Sequence, residues 1–163
     1  MSALIATFFY VGRVPFAPGT FGSAAAIPFG YLLHRYCGPQ IFLLAIILVF
    51  LLGWWATAAH TKGREDHDPG EIVIDEVAGQ WIALLPVSYG LYHAGVDPAI
   101  FPYPGWIAAF FLFRLFDIWK PWPIRWADNM DTPLGVMLDD VLAGIMAGLC
   151  VMILAGLYHG VLA

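Results

Sequence analysis

The chain has 163 residues, of which 61% are hydrophobic and 12% charged, with a formal net charge of −5 and a mean hydropathy of +0.77. Soluble domains carry about 25% charged residues, so an ordinary water-soluble globule is excluded and one small membrane-embedded helix bundle is expected. The net charge says little by itself, because position matters more than the sum, and no nucleic-acid partner is expected.

The first residues show neither a basic n-region nor a small-residue cleavage site, so no cleaved signal peptide is expected. Residues 1–23 end in Gly12-Arg13-Val14-Pro15-Phe16-Ala17-Pro18-Gly19-Thr20-Phe21-Gly22-Ser23. Two prolines and three glycines argue for a shaped loop rather than a regular helix. Its Gly19-Thr20-x-Gly22-Ser23 end is either a turn with a helix cap or a set of backbone N–H donors for an anion. An apolar segment follows over residues 21–34, short for a span and interrupted by Pro28. A turn is expected at His34 to Pro39, then a strong transmembrane helix over 40–59 with Trp54 and Trp55 toward an interface. Cys37 and Cys150 are spaced as apolar filler, not as a disulfide or metal site.

His60 to Gly70 is polar. Asp68, Pro69 and Glu71 have the spacing of an N-cap, a first helical residue and a capping-box partner, for a helix that continues to Leu91 with a possible kink at Pro86. His60 and His67 read as polar loop residues rather than ligands. Residues 92–104 form a loop, and the next helix runs from Gly105 to Trp119 before Pro121 and Pro123 stop it. The loop after it carries Trp122, Arg125, Trp126, Asp128, Asn129 and Asp131, a mixture suited to lipid headgroups. Thr132-Pro133 can cap a last helix over 133–159, in which Gly144 and Gly148 form a small-xxx-small packing face. The expected fold is therefore all-α, a polytopic bundle of four to five membrane-embedded helices in a lipid bilayer.

With the N-terminus inside, residues 1–20, 60–70 and 120–132 face the cytoplasm together with the adjoining helix ends. They carry Arg13, Lys62, Arg64, Arg114, Lys120 and Arg125, and only Arg35 falls outside, as the positive-inside rule asks. The same choice gathers every acid except Asp97 on the inner side. Glu71, Asp75, Glu76, Asp117, Asp139 and Asp140 then meet at one face, where like charges need a counter-charge. A carboxylate-rich oxygen site favours Mg2+, whereas zinc would want a His/Cys cluster. Arg114, Lys120 and Arg125 are then free for phosphate oxygens. Metal, bases and an acid to activate water make a phosphoryl-transfer set, and at a headgroup surface the substrate would be a phospholipid phosphate. Two other readings stand beside it. The acids could line an ion or proton path in a small transporter, or they could simply pair with the basic residues and hold helices together. Residue by residue, Glu71 has a capping role open to it, Asp117 a surface pair with Arg114 or Lys120, and Asp139 or Asp140 a favourable place near a helix N-terminus.

Four blocks in order resemble the bacterial phosphatidylglycerophosphatase A family: Gly12 to Ser23 (GRVPFAPGTFGS), Asp68 to Gln80 (DPGEIVIDEVAGQ), Phe113 to Pro123 (FRLFDIWKPWP) and Gly135 to Gly144 (GVMLDDVLAG). The resemblance implies a Mg2+-dependent inner-membrane phosphatase. It would convert phosphatidylglycerophosphate to phosphatidylglycerol and inorganic phosphate, the last step of phosphatidylglycerol synthesis. It implies metal or catalytic roles for Asp75, Glu76, Asp117, Asp139 and Asp140, and phosphate binding for Arg114 and Lys120. Arg125 lies just past its block and rests on charge alone. The broader family includes soluble all-α proteins, so membrane spans rest on hydropathy. No Cys-x5-Arg, no Asp-x-Asp-x-Thr/Val and no Asp-Gly-x2-Ala-Arg pattern occurs, which favours a metal-activated water as nucleophile. Asp75, Asp139 and Asp140 are then the first expected ligands, with Asp117 and Glu76 next. Glu76 is the expected proton acceptor, and Gly19, Thr20 and Ser23 offer donors to phosphate.

Overall fold

The computed structural model describes residues 1–63 and 68–159. Arg64 and His67 fall outside the described residues. Every regular element among those described is helical. They are α1 (Ser2–Ala6), α2 (Pro18–His60), α3 (Ile74–His93), α4 (Tyr103–Trp119), α5 (Ile124–Asp128) and α6 (Pro133–Leu157).

The 43 residues of α2 are not one rod. Gly38 sits at φ 75° and ψ 170°, outside helical geometry, in a region that costs glycine little. Gly19, at the start, lies against Glu76, while Gly53, near the end, lies against Ile74. Gly30 faces Phe42 across the break, and His34 bonds Ser88 far along α3. The chain therefore doubles back at Gly38 into two antiparallel legs of about 30 Å each. Pro39 opens the second leg, where its missing N–H costs nothing. The expected turn at His34 to Pro39 narrows to this one residue. The first leg is also longer than the expected 21–34, because helix begins at Pro18, behind a left-handed Ala17.

That early start corrects the reading of Gly19, Thr20 and Ser23, which lie in the first turns of α2 and not in a loop before it. The loop proper is shorter, a left-handed run at Phe8, Phe9 and Tyr10 (φ 43°, 56° and 68°) followed by one 3-10 turn at Val11–Arg13.

A second correction concerns α3. It begins at Ile74 with Val73 as N-cap and no capping side chain, so Asp68, Pro69 and Glu71 do not form the expected capping box. The Val73 N–H donates to Ala6 instead. Glu71 Oε1 accepts from His60 Nε2 at 2.9 Å, and Glu71 Oε2 pairs with Arg13 Nε at 3.4 Å. His60 is thus not a loop residue but the last residue of α2, tied to the entry of α3. At α6 the expected cap is present, with the Gly135 N–H donating to Thr132 Oγ1 at 3.1 Å.

α3 is the central helix. Its Val77, Ala78, Ala83 and Leu84 are buried between α2 and α6. A Cβ on Gly144 of α6 would run into the backbone of Gly79, and a Cβ on Gly79 would meet the Asp140 carbonyl at 2.6 Å. Small residues thus let two backbones touch. α2 and α6 are long and apolar enough to cross a membrane, and only 28% and 33% of their most apolar windows are buried. Helices that apolar would be buried in a soluble core; here they present Leu44, Leu48, Leu51, Met152 and Ile153 outward. The exposed apolar surface associates the chain with a membrane.

Gly144→Ala should lower the midpoint of thermal unfolding in detergent by an overpacking cost of about 1–3 kcal/mol. Gly148→Ala, whose Cβ would meet Pro86 at 3.3 Å and Ile82 O at 3.5 Å, should cost less; equal losses would remove the backbone contact as the cause.

Candidate functional site

The ends of four helices meet beside the start of α3. Asp75 and Glu76 lie in its first turn, and Asp75 Oδ1 accepts the Glu76 N–H at 3.0 Å. Asp139 and Asp140 come from α6, deep enough to be 6% and 3% exposed. Asp139 Oδ1 accepts the Asp140 N–H at 3.0 Å. Arg114 and Asp117 come from the last turns of α4. Lys120 caps that helix in a left-handed conformation, φ 47°, and its ammonium reaches both Asp128 on α5 and Asp139 at 2.8 Å.

Gly19 makes this convergence possible from the α2 side. A Cβ there would collide with Glu76 Oε1 and stand 3.1 Å from Arg114 Nη1. Ser23, one turn on, donates its hydroxyl to the Gly19 carbonyl at 2.8 Å and accepts from Arg114 Nη1 at 3.4 Å. Arg114 also pairs with Asp117 at 2.5 Å and stands 3.9 Å from Glu76.

The carboxylates form two groups with mutually close oxygens, Asp75–Glu76–Asp140 and Asp117–Asp139–Asp140, each within 4.8 Å. Glu76 Oε2 and Asp140 Oδ1 are buried without a hydrogen-bond partner among the described residues. A carboxylate oxygen left so is costly unless a cation or proton joins it. An all-oxygen donor set with orphaned oxygens fits a hard divalent ion such as Mg2+.

Expectation and structure part at the bases. Arg114 and Lys120 are not free, because buried carboxylates in an apolar bundle draw the nearest positive charges. Burial works against the Lys120 charge, but its hydrogen bonds to Asp128 and Asp139 outweigh that and raise its pKa above the ordinary lysine value. Arg125 does not join the cluster. α5 buries Ile124 and Ala127, and Arg125 lies exposed on the other side, its guanidinium unpaired among the described residues. Glu71 also stands apart, in the His60–Arg13 contact.

Two participants escaped the sequence reading. Asp128 holds Lys120, a pairing set by the tight turn through Pro121 and Pro123 that no spacing rule marks. Gln80, one turn beyond Glu76 on α3, is fully buried, and neither of its amide atoms has a hydrogen-bond partner among the described residues. Its signal was present, since a polar side chain four residues after Glu76 shares that helix face.

Among known proteins, the family described as Phosphatidylglycerophosphatase A matches residues 4–155. Phosphatidylglycerophosphatase A of Escherichia coli is 39% identical over 146 residues, 88% of this chain and 77% of that protein. Phosphatidylglycerophosphatase A of Haemophilus influenzae is 40% identical over 148 residues, 88% of this chain and 82% of the other. A Bacteroides thetaiotaomicron protein is 39% identical over 150 residues, 89% of this chain and 87% of its own length, and its name carries phosphatidylinositol-3-phosphatase as a provisional assignment. No solved structure matches the chain. With most of its length covered by that family and by relatives of this identity, the chain belongs to the phosphatidylglycerophosphatase A family.

Proposed function

We propose that this protein hydrolyses phosphatidylglycerophosphate to phosphatidylglycerol and inorganic phosphate, with Mg2+ held by Asp75, Glu76, Asp117, Asp139 and Asp140. The observation that carries the reading is the convergence of these five carboxylates with Arg114 and Lys120 at one end of an apolar bundle. The activity itself is taken from the names of the two closely related family members.

When bound, Mg2+ supplies positive charge to the phosphate oxygens and makes water more acidic. The remaining work falls to the side chains. Glu76 has one oxygen unengaged and only 14% of its side chain exposed; it accepts the proton of the attacking water. A new O–P bond forms as the bond to the glycerol oxygen breaks, and the leaving oxygen takes up a proton. Arg114 and Lys120 release their carboxylate partners in part and offset charge on the transferring phosphoryl group. Ser23 and Gly19 hold Arg114 and Glu76 in place around it.

The reading extends to topology. Five segments are embedded in the bilayer: the two legs of α2, α3, α4 and α6. The acid end faces the cytoplasm, since Arg13, Lys62, Arg114, Lys120 and Arg125 lie toward it and Arg35 toward the other end. Trp119, Trp122 and Trp126, all exposed, lie at headgroup depth beside the site. A transporter reading gains nothing from relatives whose names are those of phosphatases.

Asp75→Asn and Asp140→Asn keep shape and remove charge. Each should cut phosphate release from phosphatidylglycerophosphate by at least about 100-fold at normal protein level; retained turnover in both would take them out of the site. Chelation of divalent ions should abolish release in detergent, where no sealed compartment exists, and added Mg2+ should restore it. Persistent release under chelation would rule out the metal. Arg35→Ala, at the opposite end, should leave kcat and KM within about twofold, and a large loss would refute the one-ended site.

A further inference from the structure

The five carboxylates do not close on a single point. The oxygens of Asp75, Glu76 and Asp140 approach one another within 4.8 Å, as do those of Asp117, Asp139 and Asp140, and Asp140 alone belongs to both sets. A Mg2+ ion with ligands at about 2.0–2.1 Å spans roughly 4 Å between opposite oxygens. One ion therefore matches one triad, and the five carboxylates do not form a single group of mutually close oxygens around it. Asp140 is 3% exposed, and its Oδ1 is buried with no hydrogen-bond partner among the described residues. A carboxylate at the shared vertex with an unengaged oxygen has the placement of a bridging ligand, as in sites where two ions stand about 3.5–4 Å apart.

Charge works in the same direction. Among the described residues, Asp75, Glu76, Asp117, Asp139 and Asp140 outnumber Arg114 and Lys120, the basic side chains paired with members of the two triads. A buried carboxylate without a counter-charge is expensive, and a second cation lowers that cost further than one alone.

We propose that the site takes two divalent cations joined by Asp140, one with Asp75 and Glu76 and the other with Asp117 and Asp139. This deepens the phosphatase reading and rests on it for the purpose of the ions. The two positions are unequal. Arg114 lies 2.5 Å from Asp117, and Lys120 2.8 Å from Asp139, so an ion at that triad competes with two positive side chains. At the first triad the basic group paired among the described residues, Arg114, stands 3.9 Å from Glu76. The Asp75 position fills first. Filling the Asp117 position loosens Arg114 and Lys120 from their carboxylates and frees them for phosphate.

The test is a Mn2+ titration of the full chain in detergent micelles, followed by electron paramagnetic resonance. Two ions per chain should bind in two steps separated by on the order of tenfold in affinity, with a spin-coupled spectrum at saturation. Asp117→Asn should lose the weaker step and keep the tighter one, and Asp140→Asn should abolish the coupling. Circular dichroism melts establish that each variant is folded. One Mn2+ per chain at saturation, with phosphate release intact, would overturn the two-ion site and leave the phosphatase standing. Two ions whose coupling survives Asp140→Asn would overturn the bridge. Undiminished release after exhaustive chelation would instead bring down the metal reading itself.

Discussion

Asp75, Glu76, Asp117, Asp139 and Asp140 share one end of an apolar helix bundle, where a carboxylate loses much of the hydration it has in water. Their mutual repulsion has to be answered locally. Arg114 and Lys120 answer part of it: Arg114 joins Asp117, Glu76 and Ser23, and Lys120 joins Asp139 and Asp128. Each basic group thereby ties two or three elements together. The same contacts that neutralise charge also fix where α2, α4, α5 and α6 end relative to α3.

Such a cluster needs helix termini closer together than ordinary side chains allow. Glycine supplies that closeness at the points that matter. Gly79 and Gly144 bring α3 and α6 into backbone contact just below Asp140, and Gly19 lets α2 pass against Glu76. Phe113 fills the space beside Gly79, so the floor of the site is apolar and packed. Above that floor one carboxylate oxygen of Glu76, Oε2, and one of Asp140, Oδ1, have no hydrogen-bond partner among the described residues. The packing thus creates an unmet electrostatic demand, and the proposed chemistry is what would meet it.

The helical segments were legible in the sequence because long apolar runs between proline- and glycine-rich breaks have few other forms. Their ends were less so. Asp68 and Glu71 have capping-box spacing, yet the Val73 N–H goes to Ala6 and Glu71 to His60 and Arg13; tertiary partners outbid the local motif. Pro18 and Gly19 suggested a loop, but proline suits a first helical turn and the glycine is there for Glu76. The acids stood out because charge in an apolar run is expensive enough to need a reason. What pairs with each was not readable. Asp128 reaches Lys120 only through the geometry of a short turn, and Arg125 points away because Ile124 and Ala127 take the buried face of α5.

The reversal at Gly38 has a bearing on how such a chain enters a bilayer. In the proposed topology both ends of α2 stay on the side where synthesis delivers them, and only the short connection between its legs has to be carried across. That connection holds a single formal charge, Arg35. Its guanidinium is already lent to the Tyr31 hydroxyl at 2.9 Å and lies over the ring of Tyr36. In that topology a paired hairpin with one hydrogen-bonded cation is a small cargo for insertion, and the acids, which would be costly to translocate, stay on the side of origin.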